Sequence, residues 1–81
     1  MQQSIQEQNN LKGRLIPLTR LLRRDEVLRL TGIKQTYLYQ LMRDGKFPKS
    51  VPLGGKIVGW IDQEVQYWVE ARIAERDRKL L

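Results

Sequence analysis

The spacing of apolar residues across positions 24–44 predicts two short helices joined by a tight turn. In the second half of this segment, Leu38, Leu41 and Met42 recur at the three-to-four spacing of a helix with one buried face. Gly32 lies where the first helix must end, because glycine readily adopts the left-handed conformation of a C-terminal cap. Two helices that meet across such a turn form a helix-turn-helix, whose second helix is placed to enter a DNA major groove.

The next segment predicts a β-hairpin. Two apolar-alternating runs, residues 46–53 and 57–61, flank a turn at Gly54 and Gly55. The two prolines of the first run restrict it to an edge position, as in an isolated hairpin, because proline cannot donate to a neighbouring strand. A hairpin after a helix-turn-helix is a wing. The predicted fold is therefore mainly α with a small β-hairpin, a winged helix-turn-helix.

The ends of the chain are predicted from weaker patterns. Pro17 disfavours a long helix over residues 15–22, so a short strand or extended segment that leads to a helix near Arg24 is expected there. The leucines after Pro17 are expected to help close the core. These are Leu18, Leu21 and Leu22. The Gln- and Asn-rich residues 1–14 have little to bury and predict a flexible tail.

A final helix is predicted to begin at Asp62, a suitable N-cap. Its apolar stripe consists of Val65, Trp68, Val69 and Ile73. Trp60 and Trp68 are expected to be core residues, because large aromatic rings bury much apolar area. The predicted organisation is a flexible tail at 1–14, one DNA-binding domain at 15–74 and a charged, solvated helix end at 75–81.

The amino-acid composition restricts the classes of function that the chain can have. A net charge of +6 and a pI near 10.1 favour a polyanionic partner, either nucleic acid or an acidic membrane surface. The chain has neither cysteine nor histidine, which argues against an enzyme and predicts no metal and no cofactor. Acidic residues mostly alternate with Arg or Lys, as in Arg24-Asp25-Glu26, and are expected to form solvated ion pairs. No apolar run is long enough to span a membrane and no signal peptide is evident, so a cytoplasmic protein is expected.

The outer face of the second predicted helix is suited to DNA. Its residues are Gln35, Thr36, Tyr39, Gln40 and Arg43, with Tyr37 near the border. Amide, hydroxyl and guanidinium groups match the hydrogen-bonding groups of base edges and phosphates. An ordinary solvent-exposed face would carry more Glu and Lys than tyrosine and glutamine, so this composition favours DNA binding.

The sequence leaves two questions with alternative answers: the role of the wing lysines and the kind of macromolecule that the domain binds. Lys49 and Lys56 flank the strands and tip of the predicted wing, where they either contact the DNA backbone or minor groove or only keep the hairpin soluble. A protein-interaction adaptor could use the same scaffold with an acidic protein as its partner. Such an adaptor should expose a larger apolar patch than Tyr39 and Gln40 provide.

Several short motifs occur together across residues 21–68. They are Leu30-Thr31-Gly32, Tyr39, Gly45-x-Phe47-Pro48, Leu53-Gly54, Val58-Gly59-Trp60 and Glu64-Val65 with Trp68. The combination of Tyr39, Gly45-x-Phe47-Pro48 and Gly59-Trp60 is more specific than a helix-turn-helix alone. Together these motifs resemble the AlpA family of prophage regulators.

The resemblance implies a MerR-like winged-helix domain in a prophage or mobile-element protein of the bacterial cytoplasm and nucleoid. It implies a transcriptional regulator, an excisionase (a recombination directionality factor), or both, with double-stranded DNA as partner and a phage integrase as partner of the excisionase. By the same resemblance, Tyr39 and Arg43 would lie on the DNA-facing helix, and Lys56 takes the place of a usual wing arginine. A single small module contacts few base pairs, so several copies are expected, as a homodimer or side by side on DNA.

Some residues depart from the family pattern. Lys34 replaces a serine that usually caps the second helix, Gln40 replaces a common arginine, and Thr36-Tyr37 replaces a Ser-Thr pair. These changes lie where bases would be read, so the target sequences of the family are not transferred to this chain. The residues predicted nearest to base edges are Gln35, Thr36 and Gln40. Those predicted mainly to hold phosphates are Lys34, Tyr39 and Arg43.

Overall fold

The computed structural model describes residues 18–79. Its elements in chain order are β1 (Leu21–Leu22), α1 (Arg24–Thr31), α2 (Gln35–Arg43), β2 (Val51–Gly54), β3 (Ile57–Ile61) and α3 (Asp62–Lys79). Three helices and a small antiparallel sheet confirm the predicted fold class, a mainly helical winged helix-turn-helix domain. The tail predicted at residues 1–14 and the effect predicted for Pro17 lie outside the described residues.

Both helices of the helix-turn-helix end at glycines in the left-handed conformation. Gly32 has φ 75°, and its N–H donates to the α1 carbonyl four residues earlier at 2.8 Å. The cap of α2 is Asp44, one residue earlier than predicted, and Gly45 follows with φ 72°. The N–H of Lys46 then donates to the carbonyl of Leu41 at 2.8 Å, as in a Schellman motif. The cap of α1 sets the direction of α2 relative to α1. The cap of α2 sets the direction in which the chain continues toward the wing.

The wing hairpin belongs to a three-stranded sheet in the order β1-β3-β2, so the prediction of an isolated hairpin was wrong. β1 is antiparallel to β3 and pairs Leu21 with Ile61 and Leu22 with Trp60. A two-residue strand is too short to show an alternating pattern in the sequence. β2 begins only at Val51, so residues 46–50 of the predicted first run are irregular.

A compact set of buried apolar side chains joins the helices to the sheet. Its members are Leu22, Val27, Leu38, Leu41, Phe47, Trp60 and Val65. Every element except β2 contributes to it, and burial of this apolar surface is the main favourable term in folding. The predicted core roles of Leu38, Leu41 and Trp60 are confirmed, while Trp68 is half-buried against the same core.

Three apolar residues are more exposed than predicted. Leu18 is 90% exposed and Leu21 is 42% exposed, so only Leu22 of the three N-terminal leucines closes the core. Leu21 faces away from the core because successive side chains of a strand alternate between its two sides. Ile73 is 46% exposed, and residues 70–79 are exposed apart from half-buried Glu75. The apolar stripe of α3 is therefore buried only over its first turns.

Gly59 lies at a position of β3 where the sheet leaves little room for a side chain. A Cβ atom there would lie 3.1 Å from Cδ1 of Leu53 and 3.3 Å from the backbone oxygen of Leu22. We expect Gly59→Val to lower the free energy of unfolding by about 2 kcal/mol. The side chain of Leu53 can move aside, but the backbone of Leu22 cannot, because it is paired within the sheet. Urea denaturation measures the change. The control Ile57→Val, at an exposed position of the same strand, should stay within about 0.5 kcal/mol, and equal losses would contradict the steric explanation.

Candidate nucleic-acid interface

The polar face predicted for α2 points to solvent. Its exposed residues are Gln35, Thr36, Gln40 and Arg43. Tyr37 is 49% exposed at the border of this face, and Tyr39 is half-buried. Among the described residues, none of these side chains forms an intramolecular hydrogen bond. The polar groups of the face therefore keep their hydrogen-bonding capacity for a ligand.

The N-terminal end of α2 carries positive charge, and no acidic residue lies in the first turn of this helix. Lys34 is the N-cap and makes no side-chain capping hydrogen bond, as expected for a residue that replaces a capping serine. The first turn of α2 contains no acidic residue, whereas the first turn of α1 contains Asp25 and Glu26. The exposed Lys34 ammonium thus adds to the positive end of the helix dipole, an arrangement that favours a negatively charged ligand.

A shallow concavity joins the start of α1, the side of α2 and the wing. It is lined by Arg23, Arg24, Asp25, Tyr39, Lys56 and Val58. The structure thus brings together Tyr39 and Lys56, two of the residues predicted from the sequence. It adds Arg23 and Arg24, which the sequence analysis did not select. We call the cluster of Arg23, Arg24, Tyr39 and Lys56 the basic notch.

The sequence does contain a signal for the two arginines that were missed. They form an Arg-Arg pair at the start of α1, with Arg23 as the N-cap and Arg24 as the first helical residue. The predicted solvated ion pairs are confirmed for Glu26, Glu75 and Asp77. Arg24 takes part in none of them, because within residues 18–79 no carboxylate lies within 4.0 Å of its side chain. Glu26 instead pairs with Arg20 at 3.4 Å. Lys49, by contrast, is exposed in the connection between α2 and β2 and does not line the basic notch.

The ion pairs lie mostly away from α2 and the wing. Besides the pair made by Arg20, the ion pairs within the described part of the chain are all in α3, where Glu75 binds Arg72 and Lys79, and Asp77 binds Arg76. The cations around α2 and the wing have no such partner among the described residues. They are Arg23, Arg24, Lys34, Arg43, Lys46, Lys49 and Lys56. They outnumber the nearby acidic residues Asp25 and Asp44, so positive charge is in excess, which favours a polyanion on this side.

Trp68 fixes the connection between α2 and the wing. Its indole Nε1–H donates to the carbonyl of Lys46 at 2.8 Å. Its ring packs edge-to-face on Phe47 with the ring centroids 5.0 Å apart, and the guanidinium of Arg72 lies 5.5 Å from its centroid. Because Lys46 and Phe47 lie between α2 and β2, α3 restrains the spacing of the two elements that carry the exposed cations.

A known protein family matches the part of the chain that contains these residues. The family model described as Prophage CP4-57 regulatory protein (AlpA) matches residues 20–73, which include every element from β1 to β3 and the buried part of α3. The chain belongs to the AlpA family. The match also includes the whole α2 face and the basic notch of this AlpA-family chain.

Two relatives are similar over most of the domain. The chain is 48% identical over 59 residues to an uncharacterised protein, ORF88, of Enterobacteria phage P4, over 73% of this chain and 67% of that protein. It is 36% identical over 59 residues to the DNA-binding transcriptional activator AlpA of Escherichia coli strain K12, over 65% of this chain and 84% of that protein. No solved structure matches the chain significantly.

The part of the chain that the structure describes has neither a membrane-spanning helix nor a cluster of metal ligands. No helix between residues 18 and 79 is long and apolar enough to cross a membrane. In the same range, no three His, Cys, Asp or Glu side chains lie close enough together to hold a metal ion.

Proposed function

We propose that this AlpA-family chain is a sequence-specific, DNA-binding regulator of transcription of phage origin. The observation that carries the proposal is the α2 face. Among residues 18–79, its amide, hydroxyl and guanidinium groups form no intramolecular hydrogen bond, and the cations around them form no ion pair. The name of the Escherichia coli relative, a DNA-binding transcriptional activator, supports the same function. Such a protein acts in the bacterial cytoplasm, bound to the nucleoid.

In the proposed complex, α2 enters the major groove. Gln35, Thr36 and Gln40 lie nearest to the base edges, because amide and hydroxyl groups can match the donor and acceptor pattern of base pairs. Phosphate contacts fix the position of the helix without reading sequence. The residues assigned to them are Lys34, Tyr39 and Arg43.

The wing provides a second set of proposed DNA contacts beside those of α2. Lys56 is exposed at the turn of the hairpin and lines the basic notch next to Tyr39. Lys49 is exposed in the connection that leads into the wing. Both lysines are proposed to contact the adjacent backbone or minor groove, where cations replace condensed counterions.

The same surface would also serve an excisionase. A small module contacts few base pairs, so several copies, bound as a homodimer or side by side, are needed for specificity. Copies bound in tandem at an attachment site would bend the DNA and help a phage integrase assemble. Smooth bending of this kind costs about 1–6 kcal/mol, which the added protein contacts offset.

The exposed surface of α2 favours DNA binding over the alternative function of a protein-interaction adaptor. Of the large hydrophobic residues that are exposed in the described chain, only Tyr37 belongs to α2. The others are Leu18, Leu21, Leu30, Leu53, Ile57, Tyr67 and Ile73. A protein-binding helix face would be expected to show a contiguous apolar patch, which α2 does not have.

Selection from a pool of random DNA duplexes at two salt concentrations tests the proposed function. Recovery of one sequence motif, with affinity that falls steeply as salt rises, is the expected result. Salt-sensitive binding without any motif would contradict sequence-specific recognition and favour an architectural role. If no duplex binds at either salt concentration, the adaptor replaces DNA binding as the proposed function.

A further inference from the structure

We infer that the basic notch binds a DNA backbone phosphate, so that Arg23 and Arg24 are DNA-contacting residues in addition to those of α2 and the wing. The inference rests on the proposed DNA-binding function and deepens it. The residues of the notch come from three parts of the fold: the start of α1, the side of α2 and the turn of the wing. A ligand bound there would touch all three at once.

Among the described residues, the notch has more cationic than acidic side chains. Arg23, Arg24 and Lys56 line it together with a single carboxylate, that of Asp25. Within residues 18–79, no side-chain nitrogen of these three cations lies within 4.0 Å of a carboxylate oxygen. The notch thus presents excess positive charge to solvent, which a phosphate would neutralise.

The neighbouring acidic residue of α1 is held away from the cations of the notch. Glu26 accepts a hydrogen bond from the guanidinium of Arg20 at 3.4 Å and another from the backbone N–H of Arg23, also at 3.4 Å. Its carboxylate is therefore engaged at the start of the helix and with a cation outside the notch. The arginine side chains of the notch keep their N–H donors, which match phosphate oxygens in bidentate geometry.

Tyr39 connects the notch to the face of α2 that is proposed to enter the major groove. It belongs to α2, is half-buried and lines the notch together with Val58 of the wing. A phosphate in the notch would therefore lie on the strand that flanks the groove occupied by α2. Contacts of this kind set the register of a recognition helix on the duplex. A backbone phosphate thus suits the notch better than the flexible carboxylates of an acidic protein.

A pair of matched variants tests the inference. Arg24→Gln removes one unpaired charge from the notch, while Arg29→Gln removes one unpaired charge from the same helix at a residue that lines the separate groove between α1 and α3. The full-length variants would be titrated with a duplex of fixed arbitrary sequence over a series of salt concentrations. An arbitrary sequence is suitable because phosphate contacts do not depend on the bases.

Arg24→Gln is expected to weaken binding roughly fivefold and to reduce the slope of log affinity against log salt by about 1, while Arg29→Gln changes affinity less than about twofold. The double variant Arg23→Gln/Arg24→Gln should reduce the slope by about 2. Both arginines are exposed, so the fold should persist, and circular dichroism checks this. Equal effects of Arg24→Gln and Arg29→Gln, or an unchanged slope, would overturn the inference.

Two controls separate the notch from the proposed function. If the unsubstituted protein binds no duplex, the proposed function itself fails. If Arg43→Ala/Lys56→Ala weakens binding but Arg23→Gln/Arg24→Gln does not, only the assignment of the two arginines fails. Poly-glutamate at the same charge concentration should compete poorly with the duplex. Equal competition would overturn the phosphate assignment and favour an acidic protein as the ligand of the notch.

Discussion

Replacement of Trp60 by alanine is expected to unfold the domain. Trp60 is fully buried, is the largest side chain of the core and pairs across the sheet with Leu22. Truncation of a buried tryptophan to alanine costs about 3–5 kcal/mol, because transfer energy and packing are both lost. A single core in a chain of this size rarely supplies more than about 3–5 kcal/mol, so the loss is comparable to the whole stability. Thermal and urea denaturation followed by circular dichroism would measure it.

Trp60→Phe is the matched control for this prediction. The indole Nε1 of Trp60 is buried and has no hydrogen-bond partner among the described residues. A buried donor without a partner costs about 1–3 kcal/mol, which the phenylalanine variant no longer incurs. The smaller ring loses some packing, so the two changes partly offset each other and Trp60→Phe should fold. Equal destabilisation by Trp60→Ala and Trp60→Phe would contradict the prediction, because it would mean that the packing of an aromatic ring at position 60 does not stabilise the core.

The double substitution Arg43→Ala/Lys56→Ala is expected to cause the largest loss of DNA binding. One residue lies on α2 and the other at the wing, and neither has an ion-pair partner within the described residues. Loss of two phosphate contacts should lower affinity by roughly 10- to 100-fold at moderate salt and reduce the salt slope by about 2. Fluorescence anisotropy of a labelled duplex across a salt series measures both quantities.

Arg76→Ala/Lys79→Ala provides the control of equal charge. Arg76 pairs with Asp77 and Lys79 pairs with Glu75 on the exposed part of α3, away from Trp68. Exposed pairs contribute only about 0–1 kcal/mol each to stability, so this variant should fold and should bind DNA nearly as well as the unsubstituted protein. A loss of affinity as large as that of Arg43→Ala/Lys56→Ala would mean that net charge, and not the α2 and wing surface, determines binding.

The helix-turn-helix could be predicted from the sequence because its signals are local. Gly32 ends α1 as predicted, and the spacing of Leu38 and Leu41 identified the buried side of α2. The short strand β1 agrees with the strand or extended segment predicted over residues 15–22. Its pairing could not be predicted, since its partner β3 begins 35 residues further along the chain. Pairing of this kind depends on tertiary contacts that no local pattern records.

The incomplete prediction of the interface has a related physical cause. Helical spacing identified the polar face of α2, because all of its residues lie on one element. The basic notch is formed by side chains of three elements, so Arg23 and Arg24 gain their significance only when Tyr39 and Lys56 lie beside them. The burial of Ile73 was wrongly predicted for a similar reason: a helical stripe shows which side of a helix is apolar but not how far the neighbouring sheet extends.

The exposed positions of α2 have a consequence for how this protein can evolve. Gln35, Thr36 and Gln40 contribute no intramolecular hydrogen bond among the described residues and lie outside the core. Substitutions at such surface positions usually change stability by less than about 0.5 kcal/mol. Mutations there can accumulate under selection for a new operator without selection for compensating changes in the fold. Divergence of regulatory targets among phages would then proceed through a few surface codons while the scaffold stays constant.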